Sequence, residues 1–254
     1  LLGKQHTRAL LKMQCKVILW DIDEYKLRES FYTLNKEFKN ADLAYYVVDI
    51  TDEQDILRAV ENISSSNRII DILINNAAIN PKFESNLESL KFENYPCDIW
   101  NKEIAVGLTG AMLCSKIIGS KMIKQPKRGV ILNISSDLSV IAPDQRIYKS
   151  PNSLSESDFV KPVSYSVIKT GLIGLTRYLA TYWAESGLRV NALSPGGIFQ
   201  NQDPEFVSKL ESLIPMGRMA NEDEYIGAVQ FLCSDASSYL TGQNIVVDGG
   251  RSIW

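Results

Sequence analysis

The sequence predicts an α/β fold, a doubly wound parallel sheet in a three-layer α/β/α arrangement, with residues 1–254 forming one domain. Three observations lead there. Short, near-continuous apolar runs such as Ile69–Ile74 and Gly129–Ile134 have the character of strands buried on both faces. Amphipathic segments of helical period separate them. A chain of 254 residues with 45% apolar content can hold one large core, and no composition break divides it.

Taken in order, Gln5–Met13 reads as a helix, Lys16–Trp20 as a strand, Glu24–Phe38 as a helix and Leu43–Val48 as a strand. A helix over Asp52–Ile63 and the strand Ile69–Ile74 follow. The rhythm then repeats: a helix over Ile99–Lys124, the strand Gly129–Ile134, a helix carrying Tyr165, the strand Leu188–Leu193, a helix over Asp223–Leu232 and the strand Asn244–Val247. Alternation of this kind is the pattern of a Rossmann-like sheet, in which ligands bind outside the carboxyl ends of the strands. The connections Ser135–Lys161 and Ser194–Asn221 read as long loops, and length of that order in a compact domain points to function. The chain opens on Leu1-Leu2-Gly3 with helical character already present, so a preceding strand and Gly-rich loop are expected to be missing. That strand would lie between the ones ending at Asp21 and Ile74.

Composition excludes several function classes. Net charge is −3 with both signs interspersed, which speaks against nucleic acid or an anionic membrane as partner. Cys15, Cys97, Cys114 and Cys233 lie far apart with no CxxC, so they read as free thiols of a reducing, cytoplasmic setting. No metal site is expected, since His6 is the one histidine. No apolar run of membrane-spanning length is read.

The predicted strand ends place polar or Gly-rich residues along one edge. Asp21 lies about 18 residues beyond Gly3, close to the ~20 that separates phosphate-loop glycines from a ribose-binding acid. In that reading Gly3 closes the loop and Asp21 accepts both ribose hydroxyls of NAD. No neighbouring cation invites NADP; the competing reading is a helix cap, for which Asp23 is better suited. Asp49, followed by Ile50, either bonds an adenine amine or closes a turn. After the third strand, the paired amides Asn75 and Asn76 and the small Ala77 and Ala78 permit close approach of a flat ring. Pro195 and Gly196 end a later strand on the same edge. Ser136, with Ser135 as competitor, ends another; its hydroxyl can donate to a carbonyl oxygen where negative charge develops, or it is a plain polar turn.

Tyr165 and Lys169, at i and i+4, share one face of a helix that starts near Pro162. An ammonium beside a phenol favours the phenolate, which allows proton exchange with an alcohol or carbonyl near neutral pH. Tyr32 and Lys36 repeat the spacing on a charged segment that reads as solvent-facing, with no chemistry nearby.

Asn75-Asn76-Ala77-Ala78, Asn133-Ile134-Ser135-Ser136, Tyr165-Ser-Val-Ile-Lys169, Arg189 to Gly196 and Leu240 to Gly250, in this order, resemble the classical short-chain dehydrogenase/reductase family over essentially the whole chain. The resemblance implies that Tyr165 is the general acid/base, that Lys169 lowers its pKa and holds the nicotinamide ribose, that Ser136 orients the substrate carbonyl, and that Asn76–Ala78 line the cofactor site. The segment Ser136–Tyr148, the helix through Trp183 and the ending Gly249–Trp254 are similar to a branch associated with flagellin modification and surface polysaccharides. That branch implies a sugar-derived small-molecule substrate, such as a sugar phosphate or nucleotide sugar.

Two departures carry expectations. Gly107 in Val106-Gly107-Leu108-Thr109-Gly110 stands where the family has an Asn that fixes a proton-relaying water, so slower turnover is expected. The Ser136-to-Tyr165 separation is long for the family, and its charged residues Asp144, Arg146, Lys149, Glu156, Asp158 and Lys161 form either a ligand-recognising rim or a solvated loop. The leading expectation is an NAD-dependent oxidoreductase interconverting a secondary alcohol and a ketone. Its rivals are a non-catalytic dinucleotide-binding regulator and a sugar-nucleotide epimerase or dehydratase, which would need an added substrate domain. A homodimer or homotetramer is expected if Leu172, Leu175, Leu179 and Trp183 face outward; otherwise they are buried against the sheet.

Overall fold

The computed structural model describes residues 1–66, 68–79, 90–126, 129–149 and 159–254. Six strands and eight α-helices alternate among the described residues. They are α1 (Leu2–Lys12), β1 (Val17–Asp21), α2 (Glu24–Glu37), β2 (Leu43–Val47), α3 (Glu53–Ser65), β3 (Ile72–Asn75), α4 (Cys97–Ile104), α5 (Gly110–Met122), β4 (Val130–Ile134), α6 (Val163–Tyr182), β5 (Arg189–Pro195), α7 (Pro204–Glu211), α8 (Ile226–Cys233) and β6 (Asn244–Val247). All observed strand pairs are parallel, as the apolar strand pattern requires once both faces are covered. They form two hydrogen-bonded groups, β1-β2 and β3-β4-β5-β6, rather than one continuous ladder.

Two packed layers sandwich the strands. On one side Ile56, Val60, Ile117, Ile118, Leu179 and Trp183 from α3, α5 and α6 meet Ile131 and Val190. On the other, Ala9, Leu10, Leu34, Val229 and Leu232 from α1, α2 and α8 meet Val17, Leu132 and Leu193. This second cluster joins the two strand groups. Each buried Val, Leu or Ile among them contributes about 1.5–3 kcal/mol when taken out of water, so the layers hold the strand ends in register.

Local sequence sets the helix starts. Asp23 caps α2 by accepting from Lys26 N at 3.1 Å, and Asp52 caps α3 by accepting from Gln54 N at 2.8 Å. The sequence reading of a bare loop over Ser194–Asn221 is corrected by α7, whose signal was Asp203 as a cap and Pro204 in the first turn. The third strand begins at Ile72 rather than Ile69.

Between α4 and α5 the helix widens into a π turn, Ala105–Thr109, giving continuous helix from Cys97 to Met122. This run is long and apolar enough to cross a membrane by length and composition, contrary to the sequence reading, yet 56% of its most apolar window is buried inside the fold. Leu113, Cys114, Ile117 and Ile118 take part in the core, which accounts for the apolar composition. Leu172, Leu179 and, just past α6, Trp183 are also buried, and Leu175 packs half-buried against the same core, so they present no outer face.

Candidate active site

The carboxyl end of β4 and the first two turns of α6 build the site. Asn133 sits fully buried at the end of β4, accepts from Asn75 Nδ2 at 2.8 Å and donates to Thr176 Oγ1 at 2.8 Å. Asn75 Nδ2 also reaches Ser115 Oγ at 3.0 Å. These amides lock β3, β4, α5 and α6 together. Buried polar groups persist only when so paired.

The two candidate serines separate by what they touch. Ser135 donates its hydroxyl to Lys169 O at 2.7 Å, which pins α6 to the strand end. Ser136 donates to Asp137 Oδ1 at 2.8 Å and accepts from Leu138 N at 3.2 Å. Lys169 is buried, and its Nζ donates to Ile134 O at 2.9 Å; the ammonium carries three donors, so two remain for another ligand. Lys169 Nζ lies 5.7 Å from the Tyr165 ring centroid. Ser136, Tyr165 and Lys169 therefore converge on one edge of the sheet.

The electrostatics differ from the sequence expectation. Burial pushes the Tyr165 phenol above its ordinary value; hydrogen bonding to Ser136 pulls it back and Asp137 pushes it further up. Lys169 does not dominate because burial disfavours any charge here, and it brings the ammonium itself down to about 8, helped by the cation on Lys161.

Three further neighbours surround the site, of which the sequence reading names Lys161 alone, as one charge of the long connection. Arg251 reaches from the C-terminal turn to Asp137 Oδ2 at 2.7 Å, with both side chains buried. Asp137 thus holds Ser136 with one oxygen and Arg251 with the other. Lys161 places Nζ 3.8 Å from the Tyr165 ring centroid, on the stripe that continues to Lys169. Buried Glu103 accepts from Tyr95 OH at 2.5 Å and from Ser164 Oγ, fixing the start of α6. Spacing could place Lys161 four residues before Tyr165; the other contacts join residues remote in sequence.

The predicted cofactor residues are distributed along the same edge. Gly3 meets Asn76: a Cβ at position 3 would lie 3.2 Å from Asn76 Nδ2. Ala77 and Ala78 follow β3 and are exposed. Asp21 is exposed at the end of β1 and gives one oxygen to Asp23 N at 2.9 Å, while Asp23 caps α2. Asp49 holds a turn, accepting from Thr51 N at 2.8 Å and Thr51 Oγ1 at 2.6 Å through the same oxygen. Ile50 packs against Gly110, where a Cβ would sit 2.7 Å from Ile50 Cδ1. Pro195 is buried, and Gly196 donates to Val247 O at 2.9 Å and leaves no room for a Cβ, which would fall 2.8 Å from Asp248 Cα. An exposed acid, small residues beyond β3 and spare ammonium donors are compatible with a dinucleotide along this edge.

The remaining residues singled out from the sequence fare differently. Arg146 is exposed and bound at 2.7 Å to Asp144, which it holds at about 2. Glu156 and Asp158 lie outside the described residues. Tyr32 is exposed on α2, away from chemistry. Cys97, Cys114 and Cys233 are free thiols, and Cys114 and Cys233 are buried.

Known proteins share this fold. The family described as short chain dehydrogenase matches residues 2–150, and the one described as enoyl-(acyl carrier protein) reductase matches 152–252. The NAD-dependent glycerol dehydrogenase of Listeria innocua is 34% identical over 81% of this chain and 74% of its own length. A short chain dehydrogenase from Leptospira borgpetersenii, solved with bound NAD+, superposes with a TM-score of 0.83 at 33% identity, covering 99% of this chain and 89% of that one. A gluconate 5-dehydrogenase from Burkholderia cenocepacia, solved with NADP and tartrate, has a TM-score of 0.82 at 25% identity over 99% and 91% of the two chains. On these matches the chain belongs to the short-chain dehydrogenase family and is an oxidoreductase.

Proposed function

We propose that the protein interconverts a secondary alcohol and a ketone on a polyhydroxylated, sugar-like substrate, using NAD in preference to NADP. The observation that carries this reading is the convergence of Ser136, Tyr165 and Lys169 at the carboxyl end of β4. When bound, the nicotinamide supplies hydride acceptance from, or donation to, the substrate carbon. Tyr165 takes the hydroxyl proton in the oxidative direction and returns it to the ketone oxygen in the reductive one. Ser136 orients that oxygen, and Lys169 holds ribose hydroxyls with the donors left after its bond to Ile134 O.

Gly3, Asn76, Ala77, Ala78, Pro195 and Gly196 would line the dinucleotide, with Asp21 on the adenine-side ribose and Asp49 and Ile50 near the base. NAD is favoured because Asp21 would repel a 2′-phosphate, and the nearby cation Lys26 is already paired with Asp23 at 2.6 Å. The glycerol and gluconate dehydrogenases among the relatives support a polyol or aldonate as substrate. Reaction of the full chain with polyols and dinucleotide, followed at the nicotinamide absorbance, tests the reading. Tyr165→Phe should lower turnover by about 10²–10⁴-fold; retention of the wild-type rate would refute the assignment.

A further inference from the structure

Beside the catalytic tyrosine lies a cavity of about 770 Å³ whose charged walls are mostly basic: Lys91, Lys149 and Lys161 face it, with Glu93 the one acid among the described lining residues. Phe92 adds an apolar wall. Ser166, next to Tyr165 in sequence, contributes a buried hydroxyl that has no hydrogen-bond partner among the described residues.

Lys161 joins this cavity to the reacting group. Its backbone is clamped by Gln145, with N donating to Oε1 at 2.9 Å and O accepting from Nε2 at 3.3 Å, while its ammonium rests over the Tyr165 ring. The nearby acids are already engaged: Asp137 pairs with Arg251, and Glu103 accepts from Tyr95 and Ser164. No carboxylate among the described residues lies in ion-pair distance of Lys161. Burial brings its pKa down to about 8, the response of an ammonium lacking a close anion. A half-buried cation left in this condition is stabilised by whatever anion enters the cavity.

We infer that the substrate of the proposed oxidoreductase carries an anionic group, a carboxylate or a phosphate, which pairs with Lys161 while the reacting hydroxyl meets Tyr165. Lys91 and Lys149 add attraction at the rim, and Ser166 offers a hydrogen bond. The inference rests on the proposed function for the identity of the reaction, but anion binding stands apart from turnover.

Titration calorimetry of the full chain with sorbitol, gluconate and sorbitol 6-phosphate reads the site directly. Gluconate or the phosphate should bind about tenfold or more tightly than sorbitol, and whichever acid does so identifies the group. Lys161→Gln should remove this advantage by about 10- to 100-fold, the loss of one charge-assisted hydrogen bond. Lys161→Arg should keep most of it, and added salt should weaken the acids without affecting sorbitol. Equal binding of the three, binding of none, or an advantage that survives in a folded Lys161→Gln protein would overturn the inference. Dehydrogenase assays with the same compounds separate the two ideas. Sorbitol turnover that Tyr165→Phe abolishes, without preference for either acid, leaves the reaction standing and removes the anion site. Anion binding through Lys161 without turnover of any of the three does the reverse.

Discussion

At the scale of residues, the buried pair of Asp137 and Arg251 has the largest expected consequence. Asp137 is the neighbour of Ser136 and bonds its hydroxyl, so Arg251 acts on the site through a carboxylate. Removing one partner leaves a charge buried without compensation. Arg251→Met should therefore lower stability by about 3–5 kcal/mol in urea unfolding, and a change within 0.5 kcal/mol, the range of ordinary surface substitutions, would show that the pair is solvated. His6 gives a pH test. Burial holds its imidazole down at about 4 against a weaker upward pull from the Asn76 side chain. The unfolded chain takes up this proton near pH 6.5, so the stability contribution is present above about 6.5 and is lost as pH falls toward about 4. The stability advantage of wild type over His6→Leu should shrink across that window; a constant difference would contradict the neutral imidazole.

At the scale of elements, the π turn at Ala105–Thr109 explains why Gly107 is not a simple vacancy for an amide. It is buried, and a Cβ there would lie 2.7 Å from Ile168 Cγ2 on α6. Restoring an Asn at this position is therefore first a packing problem. Gly107→Asn should destabilise by about 1–3 kcal/mol, and in a double-mutant cycle with Ile168→Ala the two should couple favourably by about 0.5–3 kcal/mol. Additive effects would mean that the helices accommodate the side chain without contact. Any gain in turnover from the amide has to be sought in the double variant.

At the scale of the whole molecule, the faces of α6 decide what self-association can use. Leu172, Leu179 and Trp183 belong to the core, whereas Val167, Tyr178 and Tyr182 are exposed, and the two tyrosine rings stack at 5.6 Å. An oligomer formed through this helix would bury those rings. Light scattering should then show a smaller assembly for Tyr178→Glu combined with Tyr182→Glu than for wild type. Equal mass for both proteins would place any contact elsewhere.

Much of the fold was legible because hydrophobic period is local: apolar runs became β1 to β6, Asp23 capped as its position suggested, and Tyr165 and Lys169 shared a stripe because helix geometry admits little else. Sequence by itself thus determined the class of architecture and the edge on which the chemistry stands. Tertiary structure alone decided the partners. Ser135 turned to the carbonyl of Lys169, Asp49 to its own turn, and Arg251 to Asp137 across 114 residues of sequence. The direction of the Tyr165 shift was decided in the same way, since desolvation depends on what the whole fold packs around a group, whereas i and i+4 spacing records only its nearest cation.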